Sequence, residues 1–194
     1  MKKNSALLNL VLSAMFLAIG LILPFFTGQV PQVGKMLLPM HIPVILCGLI
    51  CGWPYGLTVG LILPLLRSFL FSAPILYPTA VAMAFELAAY GGVVGFLYGK
   101  SRWKCIVSLY RSMLLAMVAG RVVWGIAMVI LLGISGGTFT ISAFLAGAFL
   151  NAIPGIVIQL ILIPALMVIL NRTRMVQFSE KKASCTSAGQ KNGQ

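Results

Sequence analysis

Five polar side chains that could do chemistry stand in otherwise apolar stretches of this sequence: His41, Arg67, Glu86, Arg121 and Asn151. An ionisable group in a low-dielectric surrounding is costly unless it is paired, so it marks a candidate functional position. Glu86 can neutralise one guanidinium, and with Arg67 and Arg121 both at hand one positive charge is left over. A solute carboxylate, or another electron-rich group, would supply the missing partner. The competing reading is a structural triad in which Glu86 bridges both arginines and no ligand takes part. His41, between Pro39 and Pro43, is either a ligand contact or a satisfied structural histidine. The aromatic residues Phe25, Tyr77 and Trp124 can stack on a planar ring or serve as interfacial belt residues. Gly147, Asn151, Gly155 and Gln159 recur every fourth residue. They form one small and polar stripe that either lines a pocket or packs against a neighbouring helix, beside a proline, Pro154, that removes a backbone donor.

Catalytic constellations lack their parts. The chain has one histidine, no aspartate and a single carboxylate within its apolar stretches, so paired-carboxylate, metal-assisted and triad chemistry are all incomplete. Gly95-Phe96-Leu97-Tyr98-Gly99-Lys100-Ser101 imitates a phosphate-binding loop, but its two glycines stand one residue too close and the stretch ends an apolar run. Cys47, Cys51, Cys105 and Cys185 fit neither a disulfide framework nor a zinc spacing. These features point to binding or transport, with no enzyme activity, cofactor or metal expected.

The elements that must position these groups follow from composition. Of 194 residues, 60% are hydrophobic and 8% charged, and the mean hydropathy is +1.06. Too little polar surface is available for a soluble domain, which predicts an all-α integral membrane protein. A crossing helix takes about 20 apolar residues, and six segments qualify, at about 5–26, 37–53, 55–71, 79–98, 106–133 and 141–170. Gly52-Trp53-Pro54-Tyr55-Gly56 reads as the tight turn of a helical hairpin between the second and third. Met1-Lys2-Lys3 followed by an apolar run imitates a signal peptide, but the run continues to Phe26 and is kept as the first span.

Charge gives this six-transmembrane-helix bundle an orientation. Lys2 and Lys3, the 99–105 loop and the segment after Asn171 hold ten basic residues, whereas the loops 27–36, 72–78 and 134–140 hold only Lys35. Both termini are therefore expected in the cytoplasm, with residues 171–194 a basic, polar and disordered tail. The formal charge of +12 is then mostly topology, and no nucleic-acid partner is needed. At 1.5 Å per residue Arg67 falls about 6 Å, Glu86 about 10 Å, and Arg121 and Asn151 about 15–18 Å below the outer surface. Four helices thus bring polar groups to the outer half, as a solute pocket open to the outside requires. Arg111, near the inner end of its helix, is an interfacial anchor. Small residues at spacings of four, including Ala14 and Ala18, Ala80, Ala84 and Ala88, and Gly91, Gly95 and Gly99, allow close helix approach.

Ala14-Met15-Phe16-Leu17-Ala18, Leu38-Pro39-Met40-His41-Ile42-Pro43 through Gly48 and Gly52, Arg67 and Ala82-Met83-Ala84-Phe85-Glu86, together with the six spans, the longer first outer loop and the outer binding site, carry a family resemblance. In these features the chain resembles the substrate-binding S components of energy-coupling factor (ECF) vitamin transporters. The resemblance spans residues 5–170. It implies a multi-pass protein of a bacterial cell (plasma) membrane that captures a water-soluble vitamin or related micronutrient from outside. It implies as partners a transmembrane coupling protein and two cytoplasmic ATPase subunits, contact with the coupling protein through Ala14 and Ala18, a lid in loop 27–36, and tilting of the whole component during transport. Fold does not select the ligand in such a family. The positive excess near Arg67 and Arg121 favours a carboxylate-bearing solute, with pantothenate the first choice and riboflavin, a pyrimidine or pyridine vitamin, or a modified-nucleobase precursor also open. The alternative is a stand-alone proton-coupled secondary transporter using Glu86.

Overall fold

A computed structural model describes residues 2–26, 39–72, 74–101, 106–134 and 153–172. Among these residues the chain is helical without strands: α1 (Lys2–Phe26), α2 (His41–Cys51), α3 (Trp53–Phe71), a π-helical turn (Leu76–Ala80), α4 (Val81–Lys100), α5 (Ile106–Ile134) and α6 (Ile153–Arg172). Four stretches are long and apolar enough to cross a membrane: Ala6–Phe25, Trp53–Phe71, Leu76–Lys100 and Ile106–Ile134. The second and sixth expected spans are shorter as described. α2 has 11 residues, about 16 Å of helix, because Pro39 and Met40 form a turn before it. Residues 141–152, the expected start of the sixth span, lie outside the described residues, as do loop 27–36, Lys35 and the expected tail from 173 onward.

Local chemistry sets the boundaries. Pro43 occupies the first turn of α2, where a missing backbone N–H breaks no helical bond. α2 stops at Gly52, whose φ of 97° lies in the region glycine enters freely. Trp53 and Pro54 then open α3, with proline at the helix start. The expected helical hairpin is therefore present, and α2 and α3 pack on each other.

α4 is the central rod, packed by α3, α5 and α2. Where lipid offers no hydrophobic drive between helices, close backbone approach supplies the attraction. A Cβ on Gly56 would stand 2.6 Å from Gly48 Cα, and one on Gly91 would strike the Gly56 carbonyl oxygen. One on Gly95 would fall 2.7 Å from Trp53 Cα. Three helices thus meet backbone to backbone, and Gly99, at the end of the same stripe, meets nothing within 4 Å. Beside this knot lie two apolar clusters, one around Leu63, Leu87 and Val44 and one around Tyr90, Met113, Ile163 and Met167. α1 lies on α2 and α3, with Gly20 seated against Leu63, and leaves Leu7, Val11, Met15 and Ile22 more than half exposed, an apolar surface suited to lipid.

Candidate functional site

The polar groups Glu86, Tyr90, His41 and Arg121 gather one to two turns from the glycine knot. Glu86 and Tyr90 are four residues apart on α4, and that spacing puts both on one face. α2 runs alongside and begins with His41, while α5 brings Gly120 and Arg121 from the other flank. A Cβ on Gly120 would lie 2.6 Å from the Tyr90 ring, so only glycine admits that ring here. Tyr90 in turn meets the His41 ring edge to face, with centroids 5.0 Å apart and planes at 82°.

At the centre Arg121 Nη1 stands 3.0 Å from Glu86 Oε1, and His41 Nε2 stands 3.7 Å from the same oxygen. The first is a close ion pair. The second is too long for a hydrogen bond and acts through electrostatics and shape. His41, Glu86 and Arg121 are 0%, 2% and 8% exposed, so the charges are compensated in place rather than by solvent. The compensation leaves hydrogen-bonding capacity over. Both ring nitrogens of His41, Nε and Nη2 of Arg121, and Nε2 of the fully buried Gln159 lack a hydrogen-bond partner among the described residues. A buried polar atom left this way costs about 1–3 kcal/mol, and a solute carrying matching atoms would recover that cost.

The other expected site residues have different surroundings. Arg67 is half-buried on α3, with its guanidinium carbon 5.9 Å from the centroid of the Phe25 ring. Phe25 itself packs edge-on against Phe71 at 4.8 Å. The sequence reading gives Glu86 two arginine partners; the structure pairs it with Arg121, brings the His41 ring to 3.7 Å, and sets Arg67 beside an aromatic pair. Tyr77 is 43% exposed, and its hydroxyl donates to the Leu131 carbonyl, tying the π-helical turn to the end of α5. Trp124 is half-buried one turn beyond Arg121. Asn151 lies outside the described residues, whereas Gly155 and Gln159 of its stripe are buried. Ala14 and Ala18 are exposed on α1 and Arg111 is exposed on α5. Cys47 and Cys51 are buried free thiols, and no group of three or more potential metal ligands occurs among the described residues.

Tyr90 is the member sequence reasoning missed. Its signal was the spacing of four from Glu86, which places an aromatic ring beside any ligand or partner of that carboxylate.

The family model for the substrate-specific component of ECF transporters matches residues 8–167. No curated protein matches the chain, and no solved structure does.

Proposed function

The chain belongs to the family of ECF transporter substrate-specific components, and from that premise we propose that it captures a water-soluble vitamin or related micronutrient in the buried polar cluster of His41, Glu86, Tyr90 and Arg121. Membership makes it a substrate-binding membrane subunit, coupled to a transmembrane partner and ATPase units rather than powered by itself. The single observation that carries the site is the leftover hydrogen-bonding capacity around the 3.0 Å Glu86–Arg121 pair. Close backbone contacts lock α4 to α2 and α3, and Gly120 of α5 seats the Tyr90 ring, so these groups are positioned before any solute arrives.

Finer parts of the reading extend from there. Six spans with both termini inside follow from the basic residues of the loops and tail, and place the cluster in the outer half of a bacterial plasma membrane. Arg67, with Tyr77, Trp124 and Asn151, would line the outer approach, where a carboxylate such as that of pantothenate would find its cation. Ala14 and Ala18, on the exposed face of α1, would meet the coupling protein. A proton-coupled carrier built on Glu86 is the weaker account, because members of this family couple to ATPase units.

The test separates these accounts. Mass spectrometry of small molecules released from the purified chain is expected to show a bound micronutrient, and membrane vesicles are expected to accumulate that compound only when the coupling protein and ATPases are present. Accumulation by this chain alone, abolished by an uncoupler and by Glu86→Gln, would instead establish the carrier.

A further inference from the structure

We propose that the deep end of the site, at Arg121, takes an uncharged planar carbonyl group of the solute, such as an amide, lactam or pyrimidinone, and not its anion. The proposal rests on the reading of the chain as a substrate-binding subunit and adds the chemical class recognised there. A guanidinium presents its donors along separate edges. Glu86 Oε1 lies 3.0 Å from Arg121 Nη1, an ion-pair contact in which that oxygen makes no hydrogen bond among the described residues. The side-on edge, where the Nε–H and an Nη2–H point the same way, is buried and has no hydrogen-bond partner among the described residues. That edge is a fork for one carbonyl oxygen or for two coplanar acceptor atoms.

Two chemistries fit the fork by shape, a carboxylate and an uncharged carbonyl, and charge decides between them. Glu86 already cancels Arg121. A solute carboxylate on the fork would be a second anion on one guanidinium, with the side chain of Glu86 only 3% exposed. Like charges sharing a buried site disfavour each other's ionised form. The groups facing His41 are Glu86 at 3.7 Å and the Tyr90 ring on α4, with Arg121 of α5 beyond Glu86. Of the other helices packed against α2, α1 has its only charged residues, Lys2 and Lys3, at its far end, α3 carries Arg67 beside Phe25, and α6 faces the core with the uncharged Gln159. A carboxylate on the fork would therefore add a negative charge beside Glu86 with no second Lys or Arg among these groups facing it. An uncharged carbonyl satisfies the Arg121 donors without adding charge. The two ring nitrogens of His41, buried and without a hydrogen-bond partner among the described residues, provide a further donor or acceptor of the kind an amide or ring lactam uses. Any carboxylate that the solute also carries would then lie outward, away from Glu86.

The probes are acetamide and acetate, which share a planar carbonyl and differ in charge. The full chain, labelled with 15N-arginine in detergent micelles at neutral pH, is titrated with each while the Arg121 Nε–H resonance is followed, assigned by its loss in Arg121→Lys. Acetamide is expected to shift that resonance at concentrations about tenfold or more below those acetate requires. In Glu86→Gln, where the guanidinium loses its neutraliser, the preference is expected to reverse. Equal or stronger binding of acetate by the native chain overturns the proposal, as does a resonance that neither probe moves, or a Glu86→Gln protein that keeps the preference for acetamide. If Glu86→Gln does not fold, the native titration decides alone. A chain that releases a bound micronutrient yet prefers acetate refutes only the class of group at Arg121. A chain that binds no small molecule refutes the subunit reading beneath it.

Discussion

The two halves of α4 are packed by opposite means. Around Gly91 and Gly95 the backbones of α2, α3 and α4 touch, leaving no room for a single added carbon. One to two turns toward the start of the helix, Glu86 and Tyr90 face His41 and Arg121, and buried donors there have no partner among the described residues. The glycine half spends all its contacts on holding three helices in register. The polar half is held by that register and so can leave part of its hydrogen-bonding capacity for something else. The proposed binding site is thus a product of close packing one to two helical turns away from it, not of the polar residues alone.

The sharpest way to break the contrast is to remove the charge balance of the polar half. Glu86→Ala leaves Arg121 buried and unpaired, and thermal unfolding in detergent should show a loss of about 3–5 kcal/mol. Much of it should return in the double variant Glu86→Gln/Arg121→Gln, since an uncharged pair needs no compensation. Next comes the glycine half. Gly91→Ala drives a methyl group into the Gly56 carbonyl, which cannot rotate away, and the same measurement should show about 1–3 kcal/mol or more. A smaller effect sharpens the site itself. Arg121→Lys keeps the charge but loses the planar fork, so affinity for the native solute, measured by titration calorimetry, should fall about tenfold while most of the stability remains. Smallest is Gly99→Ala, in the same four-residue stripe but with open space around it. Its melting temperature should be unchanged or slightly raised, by up to about 1 kcal/mol of helix propensity. If Gly99→Ala proved as damaging as Gly91→Ala, the stripe would be acting through something other than the observed close approach.

Much of the scaffold was legible in the sequence because its signals are local. Apolar runs of membrane length reported the long helices, and Gly52 followed by Trp53-Pro54 reported the hairpin turn. Glu86 and Arg121 were identifiable because charge inside an apolar run is too costly to be incidental. The second partner of Glu86 was not legible. Spacing gives the depth of a residue but not the rotation of its helix, so depth offered Arg67 as a partner and left His41 unassigned to Glu86. The distinction lay in how α2 and α3 are turned about α4, and the glycine contacts fix that. Ala14 and Ala18 show the opposite case. Their spacing allows close helix approach, and the structure leaves both exposed, because among the described residues α1 packs on α2 and α3 with its other side.

By itself, then, the sequence determined the solvent this protein lives in, where its long helices run and which side chains are too polar to be idle. Those properties depend on composition and on neighbours along the chain. Only the tertiary structure decided which of these side chains meet. It put His41 rather than Arg67 3.7 Å from Glu86, seated Tyr90 against Gly120 and left one edge of Arg121 unpaired among the described residues. The physical reason is that a meeting between helices is set by backbone contacts between residues far apart in the chain, and no local pattern encodes the angle at which two rods cross.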